Sequence, residues 1–201
     1  QLKQQLKLPE LSPVHRIDRE TAGLVVFSVR AQDRNAYQEL FRLRQVEKTY
    51  EAIAGAPETS HLDLQFPLVH RSMMEEDSQF FRMREVAEKH LKNKGEFNSE
   101  TWIDCVERQN RNDLALDKDN KQDLARYSLK PLTGQRHQLR VHMNALGLPL
   151  IGDQFYPFVK RSAEEKNLFE HPLQLLAKSI SFKDPISGNQ RSMNSQISLN
   201  I

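Results

Sequence analysis

The chain has 201 residues, 38% hydrophobic and 28% charged, with a formal net charge of +2. This size and mix suit one sizeable soluble domain, and no run approaches the roughly 18 apolar residues that span a bilayer. The lone Cys105 excludes an internal disulfide and a clustered zinc site, so a reducing, cytoplasmic setting is expected.

Gln1–Glu10 is polar and basic and carries no secretory signal. The chain does not start with Met, so residues are expected ahead of it. Gly23–Val29 (GLVVFSV) is short, apolar and β-branched, which predicts a buried strand. Apolar positions within Ala31–Val46 recur at helical spacing and predict an amphipathic helix. Lys48–Ala54 alternates polar and apolar and predicts a strand, ended by Gly55 and Pro57. His61–Phe66 alternates weakly and suggests another strand, whereas the charged stretch Arg71–Asn98 reads as a surface loop or short helix.

Thr101–Glu107 and Leu124–Pro131 predict paired strands joined by a connector rich in Asn and Asp, with Cys105 as a small buried hydrophobe. Gln135–Leu146 has helical spacing, with Leu139, Met143 and Leu146 on one side and Gly147 as the stop. Leu173–Phe182 and Arg191–Leu199 read as closing strands. Strands dominate with helices interspersed, so the expected class is α+β, with a mixed, mostly antiparallel central sheet and flanking helices. Residues 1–201 are read as one domain.

Two segments concentrate chemistry. In Val14–Leu24 (VHRIDRETAGL), Arg16 and Arg19 flank Asp18 just before the first predicted strand. Nearby cations keep a carboxylate ionised and useful as nucleophile or base. From spacing alone, a salt-bridged aspartate pinning a turn is the simpler reading. In Leu132–Met143 (LTGQRHQLRVHM), Arg136 and Arg140 stand four apart, so one helix face would carry both and a bound anion would relieve their repulsion. Thr133–Gly134 offers a turn and a helix start at which backbone N–H groups could meet a phosphate. His137 and His142, five apart, fit a shared metal poorly and read as hydrogen-bonded or RNA-contacting. Ala125–Gly147 holds Arg126, Lys130, Arg136 and Arg140 and no acid, while acids outnumber bases between Glu100 and Asp123. On that evidence alone ordinary solvated charge is the favoured reading of the asymmetry.

HRIDRETAGL, KTYEA and LTGQRHQLRVHMNALGLPLIGDQFY resemble, in order, three motifs of the RluA family of RNA pseudouridine synthases, over residues 13 to 156. Leu176 stands where that family often has a His, and Gln135-Arg136 replaces a basic-then-small pair. The resemblance implies the pseudouridine synthase fold and isomerisation of specific uridines in structured RNA, ribosomal or transfer, without metal or organic cofactor. It implies Asp18 as the essential carboxylate, Arg140 as its cationic partner and Tyr50 as the residue packing on the base, with Arg16, Arg19, Arg136, His137 and Gln138 toward RNA. An accessory RNA-binding region upstream is expected. The competing readings are a non-catalytic RNA-binding or chaperone module on the same scaffold, and a two-carboxylate glycosidase with Glu20 as second acid.

Overall fold

A computed structural model describes residues 1–79, 81–109, 123–160 and 172–199. Its centre is β4 (Val46–Gly55), the strand anticipated at Lys48–Ala54, running two residues longer at the start and one at the end. Alternation fades toward its end, where Ala52, Ile53 and Ala54 are all buried. A strand with neighbours on both edges and cover on both faces must read this way. On one edge lies β9 (Leu124–Pro131), followed by β8 (Ser99–Gln109) and β5 (Leu68–Ser72); on the other lie β10 (Leu175–Lys183) and β11 (Gln190–Asn194). All these pairings are antiparallel; β2 (Ala22–Gly23) adds a parallel pairing to β10, so the sheet is mixed and mostly antiparallel as expected.

One face of the sheet packs Ala52, Ala54, Ile103, Tyr127 and Leu129 against Leu139, Met143 and Leu146 of the α3 region; α3 itself spans Gln138–Ala145. Tyr127 is wholly buried, and its hydroxyl donates to Gly55 O at 2.6 Å, which removes the penalty of hiding a polar group. The other face buries Ile53, Leu176 and Leu199. A further apolar cluster joins α2 (Arg34–Arg42), which follows the short N-terminal helix α1 (Leu2–Gln5) in chain order, to Val46, Ile180 and Phe182.

Several predicted elements are redrawn. Gly23–Val29 is not one strand: the chain leaves β2, crosses half-buried residues 24–26 and enters β3 (Phe27–Ser28), which pairs with β1 (Ser12–Pro13). The predicted helix Ala31–Val46 is a 3-10 turn followed by α2, and it stops at Leu43 because Arg44 turns left-handed at φ 58°. His61–Phe66 is irregular; β5 begins two residues later. The charged stretch Arg71–Asn98 carries a hairpin, β6 (Met74–Glu76) with β7 (Met83–Glu85), whose Met74 and Met83 bury against Val141 and Tyr156. Strands of three residues are too short to show a period, so charge dominates their sequence. β8 and β9 pair as expected, and most of their connector lies outside the described residues. Cys105 is half-buried beside a β-bulge rather than buried.

Gly23 fixes the N-terminal segment to the sheet. Its φ is +105°, and a Cβ there would lie 2.3 Å from Ala177 O. Only a residue without a side chain lets β2 approach β10 this closely.

Candidate active site

The loop that follows β1 is tied at three points. His15 Nε2 accepts the Val26 N–H at 2.9 Å, so Nδ1 carries the proton and donates to Arg16 O at 3.1 Å. The imidazole stacks on Phe41 with centroids 4.5 Å apart, and burial lowers its pKa. Thr21 N–H donates to Asp18 O at 3.0 Å and closes a turn at the aspartate. The Gly23 contact then holds the far end. Asp18 is thereby presented half-buried on the wall of a cleft of about 430 Å³.

The rest of the lining includes Lys48 and Tyr50 on β4, Pro131 at the end of β9, Leu132, the Thr133–Gln135 turn and Leu139 on α3. Among the described residues Asp18 is the only acid on the lining, against Arg16, Arg42, Arg44 and Lys48. The volume falls in the range of small-molecule sites. Burial, and then the charge of Asp18, push the Tyr50 phenol up to about 12. Tyr50 therefore stays neutral at physiological pH, suited to packing on a ring and donating a hydrogen bond, and poorly suited to act as a phenoxide base.

Arg140 is 2% exposed. Its Nε and Nη2 donate to Asp153 Oδ2 and Oδ1 at 2.8 and 2.6 Å, and Nη2 also reaches Glu20 at 3.4 Å. Burial alone would pull its pKa down; the Asp153 bonds and the charges of Asp153, Asp18 and Glu20 outweigh this and leave it raised. Its hydrogen bonds thus go to Asp153 and Glu20 rather than to Asp18, and Asp18 feels its field without a direct bond. Asp153, itself 1% exposed, also accepts from the backbone N–H groups of Phe155 and Tyr156. This satisfies a buried carboxylate from several sides.

The family model described as RNA pseudouridylate synthase matches residues 1–145. The chain is 32% identical over 190 residues to the dual-specificity RNA pseudouridine synthase RluA of Vibrio parahaemolyticus, covering 94% of this chain and 67% of that protein. It is 30% identical over 182 residues to the RluA protein of Escherichia coli, covering 90% and 71%. The chain belongs to the RNA pseudouridylate synthase family. Human RNA pseudouridylate synthase domain containing 1 shares its fold, with a TM-score of 0.72 at 22% identity over 98% of this chain and 74% of that one.

Within this family framework, the residues singled out in the sequence separate into groups. Asp18, Tyr50 and Arg16 line the cleft. Arg19 is exposed and off its lining. Arg136 precedes α3 and sits beside Glu76 at 3.3 Å and Arg82 O at 3.5 Å, so it does not share an anion-binding helix face with buried Arg140. Gln138 reaches the lining, but its amide is committed. Oε1 accepts from Thr133 Oγ1 and Gln135 N–H, and Nε2 donates to Glu100 O and Thr101 Oγ1. It sets the turn and leaves little amide capacity for RNA. The same bonds occupy the Gln135 N–H, which follows the Thr133–Gly134 turn where backbone N–H groups were expected to meet a phosphate.

His137 is left-handed at φ 56°, and its Nδ1 lies 3.1 Å from the Tyr156 hydroxyl. Burial and the nearby Arg140 charge lower its pKa to about 4, so it is neutral at pH 7. His142 is not near it in function. Gln138 donates to Thr101 Oγ1, whose proton then goes to His142 Nδ1 at 2.9 Å, and the Nε2–H points to Ser99 Oγ at 3.0 Å. Among the described residues His70, Glu85 and His142 are the group close enough to hold a metal ion. His142 would first have to surrender these bonds, and His70 is engaged with Glu85 at 2.7 Å. The trio is better suited to tie β5 to β7.

Sequence reasoning missed Asp153, Tyr156, Lys48 and Arg44. Asp153 and Tyr156 stood in the GDQFY segment, but no spacing rule links them to Arg140. The Tyr156 hydroxyl bonds both Met83 N–H and Met83 O, anchoring the hairpin against α3.

Proposed function

We propose that this chain, as a single catalytic domain, isomerises uridine to pseudouridine in structured RNA of the cell's interior, with Asp18 as the reacting carboxylate. The two nucleosides are isomers. C1′–N1 breaks, the uracil turns, C1′–C5 forms, the C5 proton leaves and N1 gains one. No redox partner enters this balance. Asp18 serves as nucleophile toward the sugar or as base on it. Tyr50 supplies a neutral ring to pack on the uracil and a hydroxyl to orient it. Arg140, locked by Asp153, supplies fixed positive potential beside the reacting carboxylate.

The observation that carries this reading is that, among the described lining residues, a single carboxylate shares the cleft with an aromatic residue and the remaining charges are positive. A target base must leave its stack, at a cost of a few kcal/mol, and a loop uridine costs least. Stem-loops of ribosomal or transfer RNA are therefore the proposed substrates; the RluA relatives are named as dual-specificity enzymes. No helix among the described residues is long and apolar enough to cross a membrane. A non-catalytic module has no chemical need for Asp18, Tyr50 and the Arg140–Asp153 pair together. The two-carboxylate alternative loses its second acid, because Glu20 lies against Arg140 and off the cleft lining.

The test is incubation of the protein with cellular RNA tritiated at uracil C5. The expected result is tritium in water and pseudouridine in the digest, with no free uracil. Neither product would overturn the reading, and free uracil would mark a glycosidase.

A further inference from the structure

Among the described residues, every arginine side chain has a hydrogen-bond or ion-pair partner except Arg16, Arg19 and Arg44. Two of these three, Arg16 and Arg44, line the cleft that holds Asp18. Lys48 lines it too. It is half-buried and without a partner among the described residues, whereas the other half-buried lysine, Lys178, meets Glu51 and Ile197 O. Cations left unpaired in one cleft, where the described arginines other than Arg19 are paired elsewhere, point to an anion from outside.

The backbone at Arg44 adds an independent observation. Arg44 lies just past Leu43, the C-cap of α2, in the left-handed region at φ 58°. Its N–H donates to Phe41 O, and the Gln45 N–H returns to Leu40 O, so the helix ends in a tight reversal. Glycine takes this position without strain, and a side chain here costs conformational energy. Folding alone favours Gly; the chain carries an arginine instead, and strain of this kind collects at ligand clamps. Burial of the Lys48 ammonium acts in the same direction, since a partner anion would offset its desolvation.

We infer that Arg44 and Lys48, with Arg16, form a phosphate subsite that grips the RNA backbone next to the extruded uridine. The subsite rests on the synthase reading for the identity of its ligand. Arg42 is less available, being paired with Glu39 at 2.6 Å. The reaction is performed at Asp18, and this subsite sets where the strand lies while the base is out of its stack.

The test uses a fluorescent stem-loop RNA with an all-uridine loop, with binding measured across a salt series. Arg44→Gly is expected to weaken binding roughly threefold to tenfold and to reduce the slope of log K against log salt by about 0.7–0.9, one contact's worth. The same variant should unfold at a higher temperature, because the left-handed strain is gone. Lys48→Met, which keeps the apolar stem, should lower the slope similarly; Arg84→Gln, exposed and paired with Glu75, should not. Opposite movement of stability and binding in Arg44→Gly is a signature that a structural arginine cannot give. Unchanged slopes in both Arg44→Gly and Lys48→Met overturn the subsite. Slopes that fall while the unaltered protein releases no tritium from cellular RNA would overturn the catalytic reading and leave the subsite standing.

Discussion

Asp153→Asn tests the buried pair that fixes Arg140. The substitution keeps shape and removes one charge. Asp153 accepts four hydrogen bonds, two from Arg140 and two from the backbone N–H groups of Phe155 and Tyr156. An asparagine can keep its oxygen toward the N–H groups, but its NH2 then faces the Arg140 Nε, donor against donor. Arg140, 2% exposed, would lose the Nε bond and the opposing charge, keeping only Nη2 to the retained amide oxygen and Glu20 at 3.4 Å. Breaking one side of a buried pair costs about 3–5 kcal/mol. Residual contact with the amide oxygen and with Glu20 places the expected loss near the lower end, about 3 kcal/mol. For a chain of this length each kcal/mol moves the midpoint by about 2–4 °C, so Tm should fall by roughly 6–12 °C. Urea unfolding and tritium release should fall together. The double variant Arg140→Met with Asp153→Leu removes both charges and should regain much of the stability with no recovery of activity. An Asp153→Asn protein with an unchanged urea midpoint, or a double variant less stable than the single one, would refute this account of the pair.

Gly23→Ala is expected to cost roughly 2–5 kcal/mol, from a left-handed φ combined with a Cβ 2.3 Å from Ala177 O, and urea unfolding reads it directly; a loss under about 1 kcal/mol would contradict the close approach. Acid should destabilise the fold early. His142 titrates at about 3 and His137 at about 4 when folded, against an ordinary value of 6.5, so the unfolded chain binds more protons in between. Stability is then complete above about pH 6.5 and falls on acidification toward the folded values, by at most about 1.4 kcal/mol per pH unit for each histidine. His142→Gln should flatten part of that slope in urea titrations between pH 7 and 5, and an identical slope would count against it.

How far the sequence could be read follows from what each element had to satisfy. β4, β9 and α3 were legible because long segments with one dominant environment show their period: Leu139, Met143 and Leu146 all bury as spaced, and Gly147 turns left-handed where the helix stops. The β6–β7 hairpin was not, because Met74 and Met83 are single anchors among charges. Asp18 and Tyr50 came from motif resemblance, and the fold brings both to one cleft. The Arg140–Asp153 bond was invisible because thirteen residues and a loop separate the partners, and no local rule pairs them. Arg136 and Arg140 were misjudged as one helix face because left-handed His137 starts α3 later than spacing suggested. Gln138 was expected to face RNA from the motif resemblance, yet four intramolecular bonds consume its amide.

The most direct measurement is single-turnover tritium release by Asp18→Asn, paired with its affinity for the same RNA. A nearly isosteric amide cannot attack the sugar or take its proton. The rate should fall by roughly a thousandfold or more while binding stays within about threefold of the unaltered protein. Release at a rate within about tenfold of the unaltered protein would show that the chemistry is carried by some other group.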